Sequence, residues 1–420
     1  MRRVLIVAYY FPPIGGIGAI RMAKFAEYLP SLGWEPTVLA PGETPHPLDR
    51  ELHVREDRVV RSRSIELSRL GRAVPGKPSE RAGPGTAHPS PAFGIRQAIR
   101  RAAHRYVFYP DGQIGWYLGA VRAGRRALAH GEFDVIYSSS NPITAHLVAR
   151  SLHRHSGLPW IAEFRDPWSD RLGADHPYAR HAKRLSRRIA READRVIVPT
   201  PTMASHLAEV WGRDIDVVMN GHDVQARPLA PTDDPTITHV GTYYPGRQDL
   251  RVVWEALRRR RADGARPVPR IRFVGPLPEE LAAELGEFGL TDLVETTGFV
   301  AHDAAMAAMR SSSLLVASGF TGEDPLSLGV IPAKLFEYLA SGLPILYVGK
   351  PSDDAWRLLD GERSCSLVEF GDTEAAAGAL EEALSAPPHQ RDAERHGRRA
   401  RARELARILD ESAGADNRRN

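Results

Sequence analysis

A chain of 420 residues is longer than one hydrophobic core ordinarily organises and suits two domains of about 200 residues each. With 42% hydrophobic and 26% charged residues it is not a wholly disordered protein, and the single cysteine, Cys365, excludes an internal disulfide. A formal charge of +4 favours anionic partners; nucleotide diphosphates, anionic lipid and nucleic acid all qualify.

The N-terminal MRRVLIVAYYFPP places two arginines before an apolar run, but the run is too short for a signal peptide and Pro12-Pro13 interrupts it. No stretch approaches the roughly 20 apolar residues of a membrane span, so a cytoplasmic protein is expected. Val4 to Tyr9 reads as a strand, PPIGGIG as a glycine loop and Ala19 to Leu32 as a helix. Gly33-Trp34 stops that helix, and Pro36 to Leu39 gives the next strand. This opening βαβ unit implies a parallel sheet. Residues 68–94, rich in Pro, Gly and Ser, read as a mobile surface loop, and a basic helix is expected from Ile95 to Val107.

Alternation continues with helices over Gly115 to Ala129, Pro142 to His155, Ala179 to Ala193 and Pro201 to Trp211. The intervening strands are Val135 to Ser138, Trp160 to Phe164, Arg195 to Pro199 and Asp216 to Met219. A polar, proline-bearing stretch from 222 to 236 reads as a linker. The pattern then restarts with strands at Thr236 to Val240, Ile271 to Val274, near Val294, at Leu314 to Ala317 and at Pro344 to Tyr347. Helices lie at Leu250 to Arg261, Glu279 to Gly286, Ala304 to Met309, Lys334 to Ala340, and about 373–386 and 388–412. Two doubly wound, Rossmann-like lobes follow from this grammar. Ligands are expected at the carboxyl ends of the strands, in a cleft between the lobes.

The loop Gly15-Gly16-x-Gly18 lies between a strand and a helix, where backbone N–H groups can face an anion. It lacks the dinucleotide spacing, and a turn that merely needs positive φ is the plain alternative.

The segments VLIVAYYFPPIGGIGAIRMAKFAEYLPSLGWEPTVLAP, VVMNGHD and above all IPAKLFEYLASGLPIL resemble the family 4 retaining glycosyltransferases of GT-B fold. The resemblance runs nearly the whole chain. It implies an N-terminal acceptor-binding domain over 1–221, a C-terminal nucleotide-sugar-binding domain over 222–395, and a helix over 396–420 crossing back to the N-terminal domain. It further implies a UDP- or GDP-type sugar as co-substrate, with no cofactor and no metal. An FRDPW-type segment resembles a subgroup of the same family.

FEYLASGLP puts Glu337 on a helix leaving a glycine- and proline-containing loop, where a carboxylate can accept both vicinal hydroxyls of a ribose. Family members use the matching glutamate in that way; capping of its own helix is the plain alternative. Backbone N–H groups around Ser327, Leu328, Gly329, Val330 and Ile331 would face the pyrophosphate and sugar, and Lys334 is a candidate phosphate contact or an ordinary exposed lysine. In GTYYPGRQD, Gly241 and Arg247 match a loop that neutralises the leaving diphosphate, and Thr242 stands where an arginine is common. Gly298, Phe299 and Val300 resemble the family's nucleobase-reading loop, and Gly16 is assigned to the donor as well.

Two departures stand out. Gly329 occupies the place of the family's first glutamate, for which Asp324 or Glu323 are candidate substitutes, and Arg165 stands where a histidine is common. Arg165 and Asp166 are candidate catalytic residues, together with Arg247 and Lys334. Asp166 would orient an acceptor hydroxyl or amine and Arg165 would grip phosphate or an acidic acceptor with two prongs, unless the two form a buried pair. Acceptor candidates are Gly15, Arg21, Asp111, Trp116, Asn141 and His146. Asn141 is equally readable as a helix cap and His146 as packing. The family's retaining chemistry needs no protein nucleophile and rests on positioning and charge.

The acceptor is expected to be a small molecule or lipid-linked, of cell-envelope or natural-product type, and the protein a monomer or homodimer. The basic 95–107 helix is a candidate for peripheral contact with the inner membrane face, against a solvated or cleft-facing helix. No nucleic-acid reading element is visible. A nucleotide-sugar epimerase of the same architecture and a catalytically silent partner subunit are the alternatives.

Overall fold

The computed structural model describes residues 1–42, 44, 54–65, 109–170, 172, 176, 178–223, 235–265, 267–388 and 394–416. The expected loop over 68–94, the basic helix over 95–107 and most of the 222–236 linker lie outside them. Strands β1 (Arg2–Ala8), β2 (Trp34–Pro41), β3 (Val59–Ser62), β4 (Val135–Ser140), β5 (Trp160–Phe164), β6 (Arg195–Val198) and β7 (Asp216–Val217) form one sheet in the order β3-β2-β1-β4-β5-β6-β7. A second sheet is built from β8 (Thr236–Val240), β9 (Arg270–Val274), β10 (Val294–Thr296), β11 (Leu314–Ser318), β12 (Ile345–Gly349) and β13 (Cys365–Glu369), in the order β10-β9-β8-β11-β12-β13. The strand registers described are parallel in both. Each sheet winds outward in both directions from its first strand, the doubly wound pattern.

The helices that matter below are α1 (Ile17–Tyr28), α2 (Tyr117–His130), α3 (Thr144–Ser156), α4 (Ala179–Glu192), α5 (Pro201–Trp211), α6 (Arg251–Ala262), α7 (Glu279–Glu287) and α8 (His302–Arg310). After them come α9 (Pro325–Leu328), α10 (Ala333–Ser341), α11 (Asp354–Leu359), α12 (Thr373–Ser385) and α13 (Arg398–Asp416). In β1, Val4 to Val7 are wholly buried, because a central parallel strand is covered on both faces and must be apolar on both. β4 breaks that rule with three buried serines, each of which finds a hydrogen-bond partner.

The short elements β3, α9, α11 and β13 are not foreshadowed by sequence periodicity. β3 is four residues long and owes its place to tertiary contacts: Trp116 Nε1 donates to Ser62 Oγ at 2.8 Å, and Gly42 N–H donates to the Ser62 carbonyl at 2.8 Å.

The chain divides into two compact units, Met1–Ile197 with Leu405–Asn420, and Val198–Glu404. The division falls inside β6 and inside α13. In the second unit, Thr202 at the start of α5 donates its N–H and hydroxyl to the buried Asp354 carboxylate at 2.9 and 2.8 Å, and Thr200 Oγ1 donates to the Gly329 carbonyl at 3.0 Å. These bonds attach α5 to the unit that holds α9 and α11. In the first unit the last turns of α13 are tied down through Asp410, which accepts from Arg2 Nη1 at 2.9 Å and Trp34 Nε1 at 3.1 Å.

Among the described residues, no helix is long and apolar enough to cross a membrane.

Candidate active site

In the first unit, the residues at the carboxyl ends of β1, β4 and β5 interlock. Arg165 follows β5 and donates Nε to the Ser140 carbonyl at 2.7 Å and Nη2 to the Asn141 carbonyl at 2.9 Å. The expected two-pronged grip is thus spent on the protein's own backbone. Gly18 makes room for this arginine, since a Cβ at that position would sit 1.7 Å from Arg165 Nη1. Burial pushes the Arg165 guanidinium below its ordinary pKa, against the opposing charges of Glu163 and Asp166. Asp166 accepts from Asn141 Nδ2 at 3.0 Å, so Asn141 bridges Arg165 and Asp166 and does not cap α3, whose N-cap is Ile143.

Three acceptor candidates prove to be core residues. Arg21 is only 4% exposed and donates Nε and Nη2 to Glu163 Oε1 at 3.0 and 2.7 Å, with its guanidinium 4.7 Å from the Phe25 ring centre. Trp116 is fully buried on Ser62. His146 is also fully buried, with Nδ1 2.8 Å from Ser138 Oγ and its ring against Phe164; burial pushes its pKa down to about 3, so it stays neutral. Asp111 is half-buried and serves as a brace, accepting from Thr144 N–H at 2.9 Å and Thr144 Oγ1 at 2.6 Å at the start of α3. Gly16 has φ +105° and is the N-cap of α1, its carbonyl accepting from Ala19 and Ile20. Gly15 precedes it in the same turn.

The second sheet is arranged differently. Its strand order reverses between β8 and β11, the switch point at which doubly wound sheets leave a crevice beyond the strand ends. Tyr338 of α10 spans that gap, its hydroxyl accepting from Val240 N–H at 2.8 Å and donating to the Val316 carbonyl at 3.4 Å. One turn earlier, Lys334 Nζ donates to His239 Nε2 at 2.7 Å. Lys334 is therefore neither a solvated lysine nor a free one. Burial pushes its pKa down to about 7, and burial together with the Lys334 charge pushes His239 well below the usual imidazole range. With Nε2 accepting, the ring proton sits on Nδ1. His239 and Tyr338 escaped the sequence reading because a strand histidine and a helix tyrosine read as core.

Glu337 lies between them on α10 and is half-buried. Burial raises its carboxyl pKa, partly offset by His302 and Arg398 nearby, and no side-chain bond of its own is described. It does not cap α10, whose N-cap is Pro332. The loops that frame it are tightly built. Gly241, φ +90°, follows β8, and a Cβ on Gly275 would meet its carbonyl at 2.8 Å, so the two turns approach through glycine. Thr242 follows Gly241. Arg247 lies 4.9 Å from the Phe320 ring centre, and Gln248 bonds Tyr244 N–H and the Ser318 carbonyl. Gly298 has φ +64°, and Phe299 beside it is 87% exposed, with Val300 at 40%.

The segment from Ser327 to Ile331 joins α9 to α10. Asp324 is the N-cap of α9, accepting from Leu326 N–H, Ser327 N–H and Ser327 Oγ at 3.0, 3.2 and 2.7 Å, while Glu323 pairs with Lys350. Both suggested stand-ins for the family's first glutamate are therefore committed elsewhere. At the place itself, a Cβ on Gly329 would meet the Pro325 carbonyl at 2.9 Å and Thr200 Oγ1 at 3.4 Å. We expect Gly329→Glu to weaken folding by about 1–3 kcal/mol through this overpacking and to raise no activity. A denaturation midpoint equal to that of the parent protein would reject the steric account.

A family model described as Glycosyltransferase Family 4 matches residues 81–226, and one described as Glycosyl transferases group 1 matches residues 234–386. WcaL of Salmonella typhimurium, described as a colanic acid biosynthesis glycosyltransferase, is 29% identical over 139 residues. That alignment covers 32% of this chain and 33% of WcaL, a third of the relative's length. Among solved structures, sucrose-phosphate synthase from Thermosynechococcus elongatus is similar with a TM-score of 0.56 at 16% identity, covering 100% of this chain and 98% of its own. Anabaena Alr3699/HepE, solved with UDP and glucose, has a TM-score of 0.53 at 14% identity and covers 100% and 99%. At such identities the likeness establishes the fold.

Two doubly wound parallel sheets with these matches define the class, a transferase enzyme of GT-B fold. Within it, the chain is a glycosyltransferase whose residues 81–226 match the Family 4 model and whose residues 234–386 match the group 1 model.

Proposed function

We propose that this chain moves a glycosyl group from a UDP- or GDP-type sugar to a cell-envelope or natural-product acceptor, with retention of configuration. The observation that carries the reading is Glu337, a half-buried carboxylate with no side-chain bond described, placed beside the switch point of the second sheet. A ribose diol supplies the two donors such a group lacks. Arg247, Lys334 and the main-chain N–H groups of Ile331 and the first turn of α10 supply positive charge for the diphosphate, since those of Ser327 to Val330 already donate within and just after α9. Gly298, Phe299 and Val300 offer the nucleobase a turn and an exposed ring. The colanic acid biosynthesis role of WcaL supports a biosynthetic acceptor, and the UDP bound to Alr3699/HepE supports a UDP donor.

In this reading the acceptor hydroxyl oxygen bonds to the sugar's anomeric carbon as the bond from that carbon to the diphosphate oxygen breaks. The acceptor proton passes to the departing phosphate, and positive charge stabilises the leaving group. Arg165, Asn141 and Asp166 form a fixed platform in the first domain, where Asp166 orients the acceptor. Thermal-shift screening of UDP, GDP, dTDP and ADP sugars tests the donor, and nucleotide diphosphate release that requires acceptor tests transfer. Release from donor alone would favour epimerase-type chemistry instead.

Lys334 adds a pH signature. Its amine titrates near 7 in the empty site, whereas beside a diphosphate it stays protonated, so binding takes up a proton at higher pH. Affinity for a UDP- or GDP-sugar should fall by more than about tenfold between pH 6.5 and 8.5, and Lys334→Met should flatten that profile. Calorimetry across this range that finds the same slope in both proteins would remove Lys334 from the site.

A further inference from the structure

Lys350, just past the end of β12, belongs to none of the motifs above, yet it holds the loop after β11 at three points. Its Nζ donates to the Thr321 carbonyl at 2.6 Å, to the Gly322 carbonyl at 3.0 Å and to the Glu323 carboxylate. The base of the lysine is fixed as firmly as its tip. Lys350 N–H donates to Asp353 Oδ2 at 3.1 Å, the oxygen that also accepts the Tyr347 hydroxyl at 3.1 Å, while Asp353 Oδ1 accepts Trp356 N–H at the start of α11. Gly319 and Gly349 leave the space for this buried pair, since a Cβ on either would stand within 2.8 Å of Asp353 Oδ2.

The loop so held contacts Arg247, which lies in the loop after β8. Thr321 N–H donates to the Arg247 carbonyl at 2.9 Å, and the Phe320 ring lies beneath the Arg247 guanidinium. One rigid path therefore leads from Lys350 through the 320–321 backbone to Arg247. We propose that Lys350 is a positioning residue that fixes the 319–324 loop and, through it, holds Arg247 where it meets the donor diphosphate. The diphosphate end of the path rests on the donor assignment made above; the coupling of the two loops does not.

The test measures hydrogen–deuterium exchange of residues 241–249 and 319–324 in the full chain, alongside affinity for UDP and GDP. Lys350→Met should speed exchange in both segments, and Lys350→Arg, which can still donate to the carbonyls, should restore slow exchange. Lys350→Gln, milder in its effect on folding, should lie between them. Lys350→Met should also weaken nucleotide binding about tenfold in the parent protein and change it little when Arg247 is already alanine, because the two act as one unit. In turnover assays the loss should appear in kcat/KM for the donor and be restored by Lys350→Arg. Faster exchange confined to 319–324, or losses that simply add in the double variant, would overturn the proposal. If neither nucleotide bound the parent chain, the donor assignment would fall, and exchange in 241–249 would still decide whether Lys350 governs the Arg247 loop.

Discussion

Replacing Glu337 by alanine should abolish the thermal shift that a UDP- or GDP-sugar gives the parent protein. A carboxylate accepting two ribose hydroxyls makes two hydrogen bonds to a charged group, and losing both costs about 3 kcal/mol or more, above a hundredfold in affinity. The shift reports binding because a ligand that binds only the native state raises its apparent stability. The same change should leave the unliganded protein folded, and slightly more stable, because burial already disfavours the ionised carboxyl. Glu337→Gln, which can accept one hydroxyl, should retain part of the shift. An undiminished shift in the alanine variant would remove the donor from α10 and with it the proposed reaction geometry.

The largest loss of stability should follow Glu163→Ala. Arg21 and Glu163 are 5% and 1% exposed, and the carboxylate also accepts Ser139 Oγ at 2.6 Å. Removing one member strands a buried guanidinium, at a cost of about 3–5 kcal/mol, and urea or thermal unfolding reads this directly. The double change Arg21→Met with Glu163→Leu should recover much of the loss, since apolar partners of similar volume replace buried pairs well. A single-variant loss below about 1 kcal/mol would show that water already reaches the pair.

The pair also sets an acid limit. Burial raises the Glu163 pKa, but Arg21 and Ser139 outweigh it and leave the carboxyl below its ordinary value. A depressed folded-state pKa contributes stability that is present above the unfolded value of about 4.5 and is lost as pH falls through the folded one. Acid unfolding of the first unit should therefore begin at higher pH in Glu163→Gln.

Much of the alternation of strands and helices was written in local pattern. β5 and β8 are short apolar or β-branched runs, α5 starts at Pro201 and ends before Gly212, and their boundaries follow from chemistry that acts over a few residues. The helix that carries Lys334 and Glu337 was equally legible, because an apolar-periodic run after a glycine- and proline-bearing loop is a local arrangement. What the sequence could not give was which polar residues face inward. Arg21, Trp116 and His146 carry chemistry-bearing side chains, and only the fold shows that each is consumed by a distant partner, Glu163, Ser62 and Ser138.

By itself, then, the sequence determined two α/β lobes, the order of most of their elements and the helix that carries Glu337. Tertiary structure alone decided that Arg165 spends its prongs on backbone carbonyls, that Gly329 leaves no room for a glutamate, and that Lys334 meets His239. Periodicity and turn chemistry act between neighbours in the chain, whereas the state of a buried polar group depends on partners 8 to 142 residues away, as Ser138–His146 and Arg21–Glu163 show.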